Sequence, residues 1–74
     1  MNATGETLGV TLNDRPHVVA APATLLGLLA QAGLAERRGI AAAVNGEVVP
    51  RAAWPMRELA QRDRILVIRA TQGG

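Results

Sequence analysis

From Leu8 the chain alternates, with Leu8, Val10 and Leu12 on one side and Gly9 and Thr11 on the other, which predicts a strand. Asn13-Asp14-Arg15-Pro16 gathers strong turn formers, and His17-Val18-Val19-Ala20 reads as the returning strand of a β-hairpin. Pro16 falls at the beginning of that strand, where a missing N–H is tolerated. Thr24 is a good helix N-cap, and Leu25, Leu28, Leu29 and Ala32 then follow the helical i, i+3, i+4, i+7 spacing. Gly33 closes this segment as a left-handed C-cap, giving a helix of about nine residues that needs a sheet to lie on. Leu34 to Gly39 is a charged loop. Ile40 to Val44 reads as an apolar strand, Asn45-Gly46 as a two-residue hairpin turn, and Glu47-Val48-Val49 as its return. Pro50 ends that ladder, and Arg51 to Leu59 is an irregular stretch or short helix around Trp54 and Pro55. Gln61-Arg62-Asp63 makes a turn, and Ile65 to Arg69 is the last strand.

The order is β-β-α-β-β-β, an α+β chain. A helix with one apolar stripe covers one sheet face, and the last strand must enter the same sheet, pairing with the first. The compact solution is a mixed sheet of about five strands on one short helix: the β-grasp, or ubiquitin-like, fold. The expected layout is an N-terminal tail over residues 1–7, the β-grasp domain over 8–70, and a C-terminal tail over 71–74. Val10, Leu12, Val19, Leu25, Leu28, Leu29, Ile65 and Val67 are the expected core. Trp54 is expected to plug the loop beside it, because an indole buries a large area.

Composition narrows the function more than it names it. In 74 residues there is no cysteine, so disulfides, thiolate metal sites and thiol nucleophiles are excluded. All eight basic residues are arginine, and six acids leave a net charge of only +2. The pI of 11.2 therefore reflects the absence of lysine, tyrosine and cysteine rather than a strongly basic surface. With one tryptophan as the only aromatic residue, base-stacking modules are disfavoured, and no nucleic-acid partner is expected. No apolar run approaches the roughly 20 residues of a membrane span, and the first residues lack the layout of a signal peptide. The expectation is a cytoplasmic protein without a membrane partner.

Convergent titratable groups are scarce. His17, the single histidine, has no carboxylate or hydroxyl at triad or metal spacing, and it reads as a histidine near a sheet edge. No glycine-rich loop precedes the helix in phosphate-cradling form. Arg37-Arg38 reads as a solvated pair. The unusual feature is Gly73-Gly74. Two glycines permit an extended tail to thread a narrow channel and leave a carboxylate open to attack on an ATP α-phosphate. They permit that chemistry without establishing it, since a frayed end has the same composition.

Ala43-Val44-Asn45-Gly46, Val49-Pro50-Arg51 with Trp54, Asp63 before Ile65-Leu66-Val67, and Gly73-Gly74 together resemble the ThiS-type sulfur carriers of thiamine biosynthesis. The resemblance runs from about Leu8 to Gly74 and includes Asn13 at the first turn and Thr24 before Leu28-Leu29. It departs in a short extra N-terminal tail, in a slightly cationic charge, and at Arg62, where the family commonly has glycine. A non-glycine with positive φ is disfavoured, so Arg62 puts the shape of the final turn in question.

The resemblance implies a β-grasp protein that is a carrier rather than an enzyme, monomeric when free and binding no cofactor of its own. Gly74 would be adenylated by an E1-like enzyme using ATP. Sulfur derived from cysteine through a desulfurase would convert the adenylate to a thiocarboxylate, and thiazole synthase would receive it. Gly73 and Gln72 would form the tail that reaches the partner. Without cysteine the chain cannot hold a persulfide, which leaves Gly74 as the attachment point. Alternation turns Leu66 and Ile68 away from the helix, as a candidate docking patch with Arg69 beside it. Alternatives are a carrier of the molybdopterin synthase small-subunit type, a ubiquitin-like protein modifier and a plain interaction module. The first usually has a proline just before its glycines, which Ala70-Thr71-Gln72 lacks.

Overall fold

The computed structural model describes residues 6–69. Its strands are β1 (Thr7–Leu12), β2 (Arg15–Ala20), β3 (Ile40–Val44), β4 (Glu47–Val49) and β5 (Arg64–Arg69). They form one mixed sheet in the order β2-β1-β5-β3-β4, with β1 and β5 parallel and every other pair antiparallel. One helix, α1 (Leu25–Gln31), and a 3₁₀ segment, Arg51–Met56, complete the β-grasp. The last strand does pair with the first, and β3 closes its other side.

Both hairpins turn on two residues with positive φ: Asn13 and Asp14 at 52° and 69°, and Asn45 and Gly46 at 53° and 87°. Two such residues give the type I′ twist that matches antiparallel strands, and asparagine and aspartate tolerate it better than other side chains. The first turn is tighter than Asn13–Pro16, because Arg15 and Pro16 already belong to β2. Gly9 N–H, Gly9 C=O and Thr11 N–H all bond toward the Gln61–Asp63 turn. Alternation then points Val10 and Leu12 at β2, and leaves the backbone of Pro16, Val18 and Ala20 facing the open edge. The missing N–H of Pro16 thus costs no ladder bond.

Helix α1 spans seven residues rather than about nine. Thr24 caps it by accepting the Gly27 N–H at 3.1 Å. At its other end Gly33, at φ 78°, donates to Ala30 C=O, while Leu34 donates to Leu29 C=O. This pair of bonds is a Schellman motif, and it stops the helix before Ala32 can extend it. The strand-like segment after the 3₁₀ turn fixes the helix start, since Leu25 N–H donates to Arg57 C=O and Leu59 N–H to Ala23 C=O.

The core lies between the sheet and α1. Seven of the eight expected residues are buried, and Val67 is half-buried against them. Ala42, Val44, Val49, Trp54 and Leu59 complete it. Trp54 is fully buried, donating its indole N–H to Val49 C=O at 2.9 Å. Arg51 lies over its ring at 4.4 Å and donates to the carbonyls of Ala35 and Arg37. Val-Pro-Arg with Trp is therefore a clasp that holds the α1–β3 loop to the 3₁₀ segment.

The final turn takes the left-handed geometry that arginine disfavours at position 62. Arg62 sits at φ 72°, the left-handed region, and donates its N–H to Gly9 C=O at 2.7 Å. Asp63 outweighs the strain. Its buried carboxylate accepts the Ala60 N–H at 2.8 Å and the Asn45 side-chain amide at 2.9 Å.

Candidate functional site

Strand β5 is the element on which the candidate site is built, and two turn asparagines brace it. Asn45 grips its start: Asn45 Oδ1 accepts the Arg64 N–H at 2.9 Å, and Asn45 N–H donates to Arg64 C=O at 2.8 Å. Asn13 grips its middle from the opposite side, donating its N–H to Ile65 C=O and accepting the Val67 N–H on Oδ1, both at 2.8 Å. Turn chemistry predicts asparagine at both places. Their second task, holding β5, depends on strand order and has no local signal.

Pleating sorts β5 into two faces. Ile65 and Val67 turn toward α1, whereas Leu66 and Ile68 are 49% and 54% exposed on the outer face. Register places Val48, Ala43 and Leu66 in one row across β4, β3 and β5, with Ala41 and Ile68 in the next row. Val48 is 67% exposed and the two alanines are half-buried. The result is a continuous apolar strip with a low floor. Beside it a hollow of about 290 Å³ opens among Thr11, Asp14, Ala43, Arg64 and Leu66. Val18 is also exposed on this face, but it lies at the level of Gly9 and stands apart from the strip. Val48 and Ala43 follow from the Asn45-Gly46 turn, which pairs 44 with 47 and 43 with 48.

Arg69 is exposed at the end of β5, on the register side of Ile65 and Val67 rather than beside the Leu66 and Ile68 side chains. Gln72, Gly73 and Gly74 lie outside the described residues, as do Ala70 and the rest of the expected 71–74 tail. His17 is half-buried in β2 opposite Val10. Among the described residues no group of three or more His, Asp or Glu side chains could hold a metal ion. No helix of the described residues is long and apolar enough to cross a membrane.

The arrangement is a braced strand with an apolar outer strip, leading toward a diglycine. The model of the ThiS family matches residues 4–74, a span that contains both the strip and Gly73-Gly74. The chain belongs to the ThiS family. Its role is that of a ThiS-type sulfur carrier in thiamine biosynthesis, built on a ubiquitin-like β-grasp. Among solved structures, the crystal structure of the thiamine biosynthesis protein ThiS from Geobacter metallireducens matches with a TM-score of 0.77. At 23% identity it covers 90% of this chain and 100% of its own, and it supports the fold. A comparison with curated protein sequences finds no match.

Proposed function

We propose that this ThiS-family chain carries sulfur as a thiocarboxylate on Gly74. An E1-like enzyme transfers AMP from ATP to the Gly74 carboxylate and releases pyrophosphate. A sulfur nucleophile derived from cysteine through a desulfurase then attacks the acyl carbon and displaces AMP. When that nucleophile is a persulfide the product is an acyl disulfide, and a second thiol cleaves its S–S bond, leaving the donor as a disulfide and Gly74 as the thiocarboxylate that thiazole synthase consumes. The chain is a cosubstrate in this cycle, and ATP belongs to the activating enzyme. The family match across Gly73-Gly74, in a chain with no cysteine, carries the reading. With no thiol available, the acyl end is the one place where this chain can hold transferable sulfur.

The braced β5 gives the tail a fixed origin. Gly74 is the fifth residue after Arg69, so the acyl carbon lies within about 17 Å of the end of β5 even when the chain is fully extended. The strip of Leu66, Ile68, Val48 and Ala43 is the proposed docking surface, and Arg69, whose side chain turns to the opposite face, stands at the end of β5 next to the tail. Glycine at 73 and 74 keeps the end free of Cβ atoms where the enzyme's channel is narrowest.

The test is pyrophosphate release with the cognate activating enzyme and ATP. Full-length chain should support it, and a chain lacking Gly73-Gly74 should not, although both melt at the same temperature. Equal pyrophosphate release from the two chains would overturn the assignment of Gly74.

A further inference from the structure

Strand β5 is paired unequally on its two sides. Against β3 it is matched along its whole length, from Val44↔Ile65 to Ile40↔Arg69. Against β1 it is matched only at Arg64 and Ile65, because the chain turns away at Asn13 and Asp14. Hydrogen bonds at Arg64, Ile65 and Val67 fix the direction of each backbone group along β5. Arg64 bonds to Asn45 on the β3 side, while Ile65 and Val67 bond to Asn13 on the β1 side. Alternation therefore points the backbone of Leu66 and Ile68 at β3, and that of Val67 and Arg69 toward the β1 side. Asn13 takes the Val67 N–H. Past it, the Val67 C=O and the Arg69 N–H face a side where no strand of the described residues pairs with them.

An open edge is a template for another strand. This one is short, begins where an asparagine side chain ends the internal ladder, and borders the exposed Leu66 and Ile68. It is also the part of the sheet that continues directly toward Gly74, five residues on.

We propose that the Val67–Arg69 edge of β5 receives an extended backbone segment of the activating enzyme as one added strand, so that the enzyme grips the carrier's sheet before it reaches the glycines. This rests on the assignment of Gly74 as the adenylated residue. The enzyme is the occupant because a strand paired here lies within the tail's reach of the acyl carbon. Its outward side chains stand next to Leu66 and Ile68, which calls for apolar residues. β5 carries Arg64 and Arg69 and no acid, so a carboxylate on the incoming strand complements it. The added strand accepts from Arg69 N–H and donates to Val67 C=O.

Substitution separates the backbone contribution from the side chain. Arg69→Ala removes the guanidinium alone, whereas Arg69→Pro also removes the N–H. Among the described residues that N–H has no partner, and proline's demand for an extended preceding residue is already met at Ile68. Both variants should therefore melt as the native chain does. The KM for carrier in pyrophosphate release should rise about tenfold more for Arg69→Pro than for Arg69→Ala, the worth of one hydrogen bond. Hydrogen exchange of the unsubstituted chain gives a second readout. The Arg69 amide should exchange freely in the free carrier and slow at least about tenfold in complex with the enzyme, while Leu66 and Ile68 amides are protected in both. Equal KM values for the two variants, or an Arg69 amide still unprotected in a complex that turns over ATP, would overturn the added strand and leave the role of Gly74 standing. Absence of pyrophosphate release from the native chain would remove the enzyme partner, and both readings with it.

Discussion

The Asp63 carboxylate ties the Ala60–Asp63 turn before β5 to the Asn45 turn between β3 and β4, and its removal is the sharpest test of how β5 is held. The carboxylate is 7% exposed and accepts from Ala60 N–H and from the Asn45 amide. Asn45 in turn holds Arg64. Asp63→Ala strands both donors. Hydrogen bonds to a charged acceptor contribute about 1.5–3 kcal/mol each, and because both are only part-buried, water recovers some of that. The expected loss is about 3 kcal/mol. A domain of this size has about 3–5 kcal/mol in total, so Asp63→Ala should be near the edge of folding. Asp63→Asn is the more measurable variant. One amide oxygen can still accept, but its NH₂ then opposes the Asn45 NH₂, which cannot flip without losing Arg64. About 1–2 kcal/mol should be lost, read as a fall of about 1–2 M in the urea midpoint for an m-value near 1 kcal/mol/M. A double-mutant cycle with Asn45→Ala should show coupling of about 1–2 kcal/mol. A loss below about 0.5 kcal/mol for Asp63→Ala, the level of an ordinary surface change, would refute this account of β5.

Other expectations follow from the same geometry. Arg62→Gly should stabilise the chain by about 0.5–1 kcal/mol, since it relieves a left-handed arginine at some entropic cost, and the urea midpoint should rise accordingly. Arg51→Lys should not replace arginine, because one ammonium cannot hold both the Ala35 and Arg37 carbonyls while stacking on Trp54. Amide exchange across residues 34–39 should quicken in that variant while the strands stay protected. Leu66→Asp and Ile68→Asp should leave the unfolding free energy from urea titration within about 0.5 kcal/mol of native and weaken binding to the activating enzyme. A core-sized loss of about 2 kcal/mol or more would place those side chains inside.

Local chemistry made the hairpins and the helix ends legible. Asn13-Asp14, Asn45-Gly46, Thr24 and Gly33 each act through neighbours within five residues, and each sits where turn and cap rules put it. The core of β3 was less legible for a physical reason. Ile40-Ala-Ala-Ala-Val44 has no polar contrast along it, so its inner face is set by pairing with β5 and not by its own pattern. Val49 and Leu59 were hidden in the same way, each beside a proline or a charged stretch that masks periodicity. Arg62 shows the converse. Its intrinsic preference argues against the turn, and the bonds made by Asp63 and by its own N–H to Gly9 override it. For the site, alternation alone separates Leu66 and Ile68 from the core, whereas the wider strip needs strand order. The bracing by Asn13 and Asn45 and the one-sided pairing of β5 needed it too.

The central claim is that sulfur travels on the acyl end of Gly74. Intact-mass measurement after incubation with ATP, the cognate activating enzyme, a desulfurase and cysteine tests it directly. One oxygen should be exchanged for one sulfur, located by fragmentation to the Gly73-Gly74 end and absent when ATP is withheld. An unchanged mass under conditions where pyrophosphate is released, or sulfur found anywhere but on Gly74, would contradict it.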